Sequence, residues 1–278
     1  MSVPTLRVGH SPDPDDAFMF CALAKGAVRI QDYHIEHVLD DIESLNRRAL
    51  SAELEVTAIS AHAYVDLMDK YWVLSTGASI GEGYGPVVVS RKKMELQALA
   101  GKKVAIPGEK TTAALLAHMY LPDHVPVVRP FDRIFEAIDR GDVEAGVIIH
   151  EGQLTYRDGG YFKILDFGER WAEETGLPLP LGLDVVRADL GMALAREVNV
   201  ALRASIDWAY QNEDEAMEYA LRFGRGLDRE LGRRFVRMYV SELTRDMGEK
   251  GRLALQELYT RALAAGAISK ISPFTLVA

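Results

Sequence analysis

The chain has 278 residues, 48% hydrophobic and 26% charged, with 23 glycines, 11 prolines and one cysteine. That composition excludes a disordered chain, a collagen-like repeat and a disulfide scaffold, and the length suits one large domain or two ordinary ones. The net charge of −9, with no concentrated basic patch, makes a nucleic acid an unexpected partner. The single Cys21 has no internal partner, and no Cys/His spacing suggests zinc. The opening MSVPTLRVGHSPDPDD lacks the pattern of a secretory signal, and no apolar run reaches the ~18–20 residues of a membrane span. The expectation is a cytoplasmic protein with no membrane partner.

In chain order, a strand is predicted over Thr5–Gly9, followed by His10-Ser11-Pro12-Asp13-Pro14-Asp15-Asp16 and an apolar helix over Ala17–Gly26. A strand over His34–Leu39 leads to an amphipathic helix in which Ile42, Leu45 and Ala49 recur at helical spacing, with Asn46, Arg47 and Arg48 on other faces. Leu54–Ser60 alternates as a strand and runs into the apolar AHAYVDLM. This order argues for an α/β class with a largely parallel sheet. Gly77–Gly85 lacks the spacing and the lysine of a phosphate loop and reads as a flexible link into Pro86–Ser90.

A second α/β unit begins with the strand Lys103–Ile106, the turn Pro107-Gly108-Glu109-Lys110-Thr111-Thr112 and the helix AALLAHMYL. It continues with the strand Val125–Pro130, a short helix capped at Gly141, and the strand Ala145–Ile149 ending at His150. LPLPLGLDVVRADLG returns as a strand, and helices are predicted over Met192–Phe223, Asp228–Leu243 and Gly248–Ala265. The order predicts one lobe from 1–90 and 184–278, a second inserted over 91–183, and a ligand cleft with a hinge between them.

Polar groups end three of these strands: Ser11-Pro12-Asp13, Ser60 and Thr111-Thr112. At such positions free backbone N–H groups and hydroxyls can hold a small anionic or polyhydroxylated ligand, or the side chains can simply cap the helices. His150 is the candidate general base, with a structural role as the alternative. His62 reads as a core histidine, and Trp171 and Trp208 as core packing. The run Asp13, Asp15, Asp16 is interrupted by prolines and does not match a calcium loop.

The stretches SPDPDDAFMF, DDIESLNRRAL, TAIS, GEKTTA and VIIHEGQLTY, in this order from about Leu6 to about Gly248, resemble the menaquinone-biosynthesis family of the futalosine route. Within it, IIHE is similar to the 1,4-dihydroxy-6-naphthoate synthases rather than to the chorismate dehydratases. The resemblance implies a type II periplasmic-binding-protein-like fold of two α/β lobes and a lyase acting on cyclic dehypoxanthine futalosine. No cofactor and no metal are implied, and the expected partner is a small aromatic carboxylate. It further implies that His150 is the proton acceptor and that Ala58, Ile59, Ser60, Thr111 and Thr112 bind substrate, with Asn46 and Ser11 nearby. Asp13 and Asp15 stand where the family pattern has cysteine and asparagine, and Ala58 where lysine is common. By Coulomb's law these departures weaken binding of an anion unless His10 or Arg129 compensates. The rival readings are a non-catalytic carboxylate-binding protein of the same fold and a chorismate dehydratase.

Overall fold

The computed structural model describes residues 3–224 and 227–278. The chain divides into two compact units. Unit 1 comprises the segment ending at Ile80 with Gly182–Arg252 and Ser272–Ala278, and unit 2 comprises Gly81–Leu181 with Leu253–Ile271.

The first run of elements is β1 (Thr5–His10), α1 (Pro14–Ala24), β2 (His34–Leu39), α2 (Ile42–Leu50), β3 (Val56–Ser60), α3 (Ala61–Tyr64), β4 (Tyr71–Leu74) and β5 (Ser79–Gly81). Pro14 opens α1, where a missing N–H costs nothing, and Asp41 caps α2 by accepting the N–H groups of Glu43 and Ser44. There follow β6 (Val87–Ser90), β7 (Lys103–Ile106), α4 (Thr112–Tyr120), β8 (Val125–Val128), α5 (Ile134–Asp139), β9 (Ala145–Ile148), α6 (Gly152–Thr155), β10 (Phe162–Asp166) and α7 (Phe167–Thr175). The chain then returns through β11 (Leu179–Arg187) to α8 (Met192–Gln211), α9 (Glu213–Leu221), α10 (Arg229–Tyr239), α11 (Glu242–Arg245), α12 (Gly248–Ala264) and β12 (Leu276–Val277). Among the described residues no helix is long and apolar enough to cross a membrane.

Among the described residues, one sheet has seven strands in the order β12-β4-β11-β3-β1-β2, with β5 also paired to β11; the other has five, in the order β10-β6-β9-β7-β8. The α/β class holds, but neither sheet is largely parallel. β1, β2 and β3 are mutually parallel where they pair, whereas β11 runs antiparallel to both β3 and β4. In the second sheet β7, β8 and β9 are parallel and β6 is antiparallel to β9 and β10. The returning strands β6 and β11 enter their sheets from the opposite direction, which the order of helices and strands alone does not reveal.

Three boundaries move from their expected places. The division near 90 falls at 80, because β6 pairs with β9 and β10 and so belongs to the second sheet. The return near 184 falls at 182. Most of α12, from Leu253 onward, groups with unit 2, where Arg261 pairs with Glu174 at 2.9 Å and lies over the Trp171 ring. Sequence reading also leaves β4, β10 and α7 unassigned. The expected helix over Met192–Phe223 breaks at Asn212, and that over Asp228–Leu243 breaks at Ser241, which opens a new capping box.

In unit 1, α1 is buried on nearly every side, as its continuous apolar sequence requires. Phe18, Met19 and Phe20 share a core with Leu6 and Val8 of β1, Val56 of β3, Val186 of β11, and Leu202 and Ile206 of α8. In unit 2, Val87, Val89, Ala105 and Ile148 pack against Ile134, Ala137 and Ile138 of α5. Trp171 of α7 is fully buried and donates to the Pro178 carbonyl at 3.0 Å; Trp208 is partly buried against the unit 1 core, so both tryptophans pack as expected.

Gly77–Gly85 is more than a link. It contains β5, and its end passes so close to α7 that a Cβ on Gly168 would overlap the Tyr84 carbonyl and the Gly85 nitrogen. Helix propensity alone would make Gly168→Ala stabilising by about 1 kcal/mol. Backbone overlap opposes it and dominates, so the expected result is a net loss of about 3 kcal/mol, seen as a lower urea midpoint.

Candidate active site

Unit 1 gathers its expected residues at the edge where β1 and β3 end. Asn46, off the apolar stripe of α2, is nonetheless wholly buried. Its Oδ1 accepts the Ser60 N–H at 2.8 Å and its Nδ2 donates to Ser60 Oγ at 3.0 Å. With Oγ already accepting, the Ser60 hydroxyl hydrogen points elsewhere and is a pre-oriented donor. Ile59 is fully buried, while Ala58 is half-buried and lies opposite Asp184 in the β3–β11 register.

The N-terminus of α1 is not capped in the expected way. Asp13 occupies the cap position but makes no side-chain cap; instead Ser11 Oγ donates to Asp13 Oδ2 at 3.0 Å, and the Ser11 N–H donates to Asp16 Oδ2 at 2.7 Å. Burial pushes the Asp16 carboxyl up to about 6, although the Ser11 N–H favours its ionised form. Burial, reinforced by Asp16 and Asp13, holds Asp15 well above the usual carboxylate range. Asp184 is raised likewise by burial and by Asp16, and neither of its oxygens has a hydrogen-bond partner. Gly77, at φ +98°, is the only residue type that fits beside it, since a Cβ there would overlap Asp184 Oδ2.

This arrangement bears on the departures in sequence. Asp15 is held toward its neutral form, so it does not add the full repelling charge that its position predicts. His10 does not compensate. Its Nδ1 faces the Ser11 carbonyl at 3.2 Å, its Nε2 meets His37 Nδ1 at 3.0 Å, and its ring stacks on Phe20 with centroids 4.5 Å apart. Burial, with His37 adding, pushes it down to about 3, so it is uncharged at neutral pH. Arg129 is the other basic side chain in question. It follows β8, is half-buried, donates to the Val128 carbonyl at 3.0 Å and has no ion-pair partner among the described residues.

Unit 2 gathers its residues where β7 and β9 end. Thr111 caps α4: its Oγ accepts the Ala114 N–H at 3.2 Å and donates to the Gly108 carbonyl at 2.8 Å. Thr112 Oγ donates to the Leu181 carbonyl at 2.6 Å, tying the turn to β11. Both hydroxyls thus have structural work. His150 is 7% exposed, and both ring nitrogens are engaged: the Gly152 N–H donates to Nδ1 at 3.0 Å, and Nε2 lies 3.2 Å from the Phe131 carbonyl. These partners assign the neutral ring as the Nε2–H tautomer. Phe131 and Phe135 meet the ring edge to face.

Sequence reading weighed Asp16 only as part of an acidic run that does not match a calcium loop, and did not single out Asp184, Phe131 or Phe135 as site groups. Asp184 carried a usable signal, a lone charge in the apolar run LGLDVV, whereas Phe131 is brought to His150 only by the fold. His62 is half-buried rather than a core residue. A cavity of about 720 Å³, lined in part by Leu23, Lys25, Arg29, Ile30 and Tyr33, opens at the other end of β1 and β2 and contains none of these groups. Among the described residues, no cluster of three or more His, Cys, Asp or Glu side chains is arranged to hold a metal ion.

The family model for menaquinone biosynthesis matches residues 6–264. The chain belongs to that family. A 1,4-dihydroxy-6-naphthoate synthase of Thermus thermophilus is 42% identical over 94% of this chain and 95% of that protein. A second, from Streptomyces coelicolor, is 36% identical over 99% of both. Among solved structures, protein AF1704 from Archaeoglobus fulgidus is 51% identical, with a TM-score of 0.91 over 95% of this chain and 98% of that one. The alkanesulfonate-binding protein SsuA from Xanthomonas axonopodis pv. citri, bound to MOPS, shares the fold with a TM-score of 0.70 at 14% identity, covering 100% of this chain and 98% of that one. The fold is therefore that of the periplasmic binding proteins, and the family member is an enzyme of the lyase class.

The buried carboxyls of unit 1 make stability depend on pH in a defined direction. A carboxyl whose folded-state value is raised contributes stability that is complete below its unfolded value and is lost as pH rises toward the folded one. Stability should therefore fall as pH rises from about 4 through the value near 6 of Asp16. Asp184→Asn removes one such group. Its melting temperature should match the wild type near pH 4 and exceed it by several degrees at pH 7.5, as measured by thermal denaturation across pH.

Proposed function

We propose that this enzyme opens cyclic dehypoxanthine futalosine to 1,4-dihydroxy-6-naphthoate, releasing dihydroxyacetone, with His150 as general base. The observation that carries the proposal is near-full-length similarity to two enzymes named for that naphthoate, together with the position of His150 on the turn after β9. Substrate binding falls to Ser11, Asn46, Ala58, Ile59, Ser60, Thr111 and Thr112. The ligand partner is an aromatic carboxylate, and the activity belongs in the cytoplasm.

The route is retro-aldol-like. His150 takes a hydroxyl proton, the O–H electron pair becomes the new C=O bond, and the carbon–carbon bond breaks. Its electrons pass into the ring that becomes aromatic, so no cofactor is required. The protonated histidine then returns its proton to balance the step. Ser60 Oγ–H and the N–H groups at the start of α4 can hold developing oxyanions, and Arg129 offers a charge for the carboxylate.

One observation favours a carboxylate-binding protein instead: both His150 nitrogens are engaged by backbone groups. Turnover separates the two readings. Incubation with cyclic dehypoxanthine futalosine should yield the naphthoate by absorbance and mass. His150→Gln should lower kcat about 1000-fold while the fold, by circular dichroism, and substrate binding persist. Binding without turnover by the wild-type chain would sink the lyase reading.

A further inference from the structure

The turn that carries Ser11 has few groups by which it can be held. Its sequence is Ser11-Pro12-Asp13-Pro14, and neither proline has an N–H. The peptide joining Ser11 to Pro12 therefore has a single hydrogen-bonding group, the Ser11 carbonyl. Among the described residues, the side chain that meets it is His10, whose Nδ1 lies 3.2 Å away. A carbonyl can only accept, so His10 carries its proton on Nδ1, and its neutral ring keeps its lone pair on Nε2. That lone pair meets His37 Nδ1 at 3.0 Å, which makes His37 the donor. The last lone pair is on His37 Nε2, which is buried and has no hydrogen-bond partner among the described residues. The hydrogen bonds thus run in one direction, from His37 through His10 to the Ser11 carbonyl.

Packing holds the pair in this arrangement. In the β1–β2 register His37 lies opposite Val8 and His10 opposite Leu39, so both histidines stand on the sheet face that Val8 packs against α1. Phe20 of α1 covers them, stacking on His10 at 4.5 Å and meeting His37 edge-on at 6.3 Å. His10 is 1% exposed, so solvent cannot stand in for the His37 donor. Without that donor, the His10 ring would be fixed only by the carbonyl that it has to fix. The other groups of Ser11 are already engaged: its N–H donates to Asp16 and its hydroxyl to Asp13. Ser11 Oγ therefore meets a ligand as an acceptor, which suits a hydroxyl group and not a carboxylate.

We propose that His37 is a positioning residue for the unit 1 site. Acting through His10, it fixes the Ser11–Pro12 peptide, and with it the Ser11 oxygen that accepts a hydroxyl group of the substrate. The proposal rests on the reading of Ser11 as a substrate contact.

The test measures kcat and KM with cyclic dehypoxanthine futalosine for His37→Phe, His37→Asn, and His10→Phe alone and combined with His37→Phe, all in the full chain. His37→Phe keeps a ring against Phe20 but has no N–H, and is expected to raise KM about 5–10-fold with kcat within about twofold. His37→Asn offers an amide N–H near the Nδ1 position and should return KM to within about twofold of the wild type. With His10→Phe the connection is already absent, so adding His37→Phe should change KM no further. Ring nitrogen NMR of the wild-type protein should show both Nε2 atoms bare and both Nδ1 atoms protonated. An unchanged KM in His37→Phe, an equal rise on the His10→Phe background, no recovery in His37→Asn, or a protonated Nε2 on either ring would overturn the proposal. Should His37→Phe fail to fold, His37→Leu takes its place with the same expected values. If the wild-type chain binds this substrate without turnover, Kd is compared in place of KM. A wild-type KM in Ser11→Ala would instead refute the substrate contact on which the proposal rests, so the two failures are told apart.

Discussion

In a pair of parallel strands both chains leave the sheet at the same edge, and every group of interest here depends on that constraint. β1 and β3 are parallel neighbours in unit 1, so Ser11 and Ser60 emerge together. β7 and β9 are parallel neighbours in unit 2, so the Thr111–Thr112 turn and His150 do the same. The antiparallel strand β11 then adds Asp184 beside Ala58 in the first sheet, and its Leu181 carbonyl takes the Thr112 hydroxyl. Residues far apart in the chain become neighbours because the backbone ladders leave them no other place.

Much of the polar chemistry is spent on holding these turns. The side chains of Thr111 and Thr112 bond to backbone, Asn46 gives both ends of its amide to Ser60, and His150 is held by two backbone groups. Capping and ligand binding are therefore not exclusive. A hydroxyl that accepts from Asn46 has its proton directed away from that bond, and a ring held by backbone has a defined tautomer. Fixing these groups before a ligand arrives lowers the cost of ordering them during binding or reaction.

The acidic start of α1 shows how burial changes what a charge count means. Three aspartates within four residues look repulsive toward an anion, yet Asp15 and Asp16 are buried and shift toward neutrality, as does Asp184 beside Asp16. The same burial removes the charge from His10, the cation nearest in sequence. Arg129 lies in the other unit, just after β8. Electrostatics at such a site follows from desolvation as much as from composition.

By itself the sequence determined the α/β class, most element positions and the polar turns at the strand ends, because hydrophobic periodicity and proline, glycine and cap residues act locally. The ordered motifs SPDPDD, TAIS, GEKTT and IIHE also carried the family. Tertiary structure alone decided the antiparallel entry of β6 and β11, which moved the boundary from 90 to 80, because strand direction is fixed by partners distant in the chain. It alone buried Asn46, neutralised His10 and brought the Phe131 carbonyl to His150. Hydrogen-bond partners and loss of water are properties of the packed chain, and no local pattern of residues encodes them.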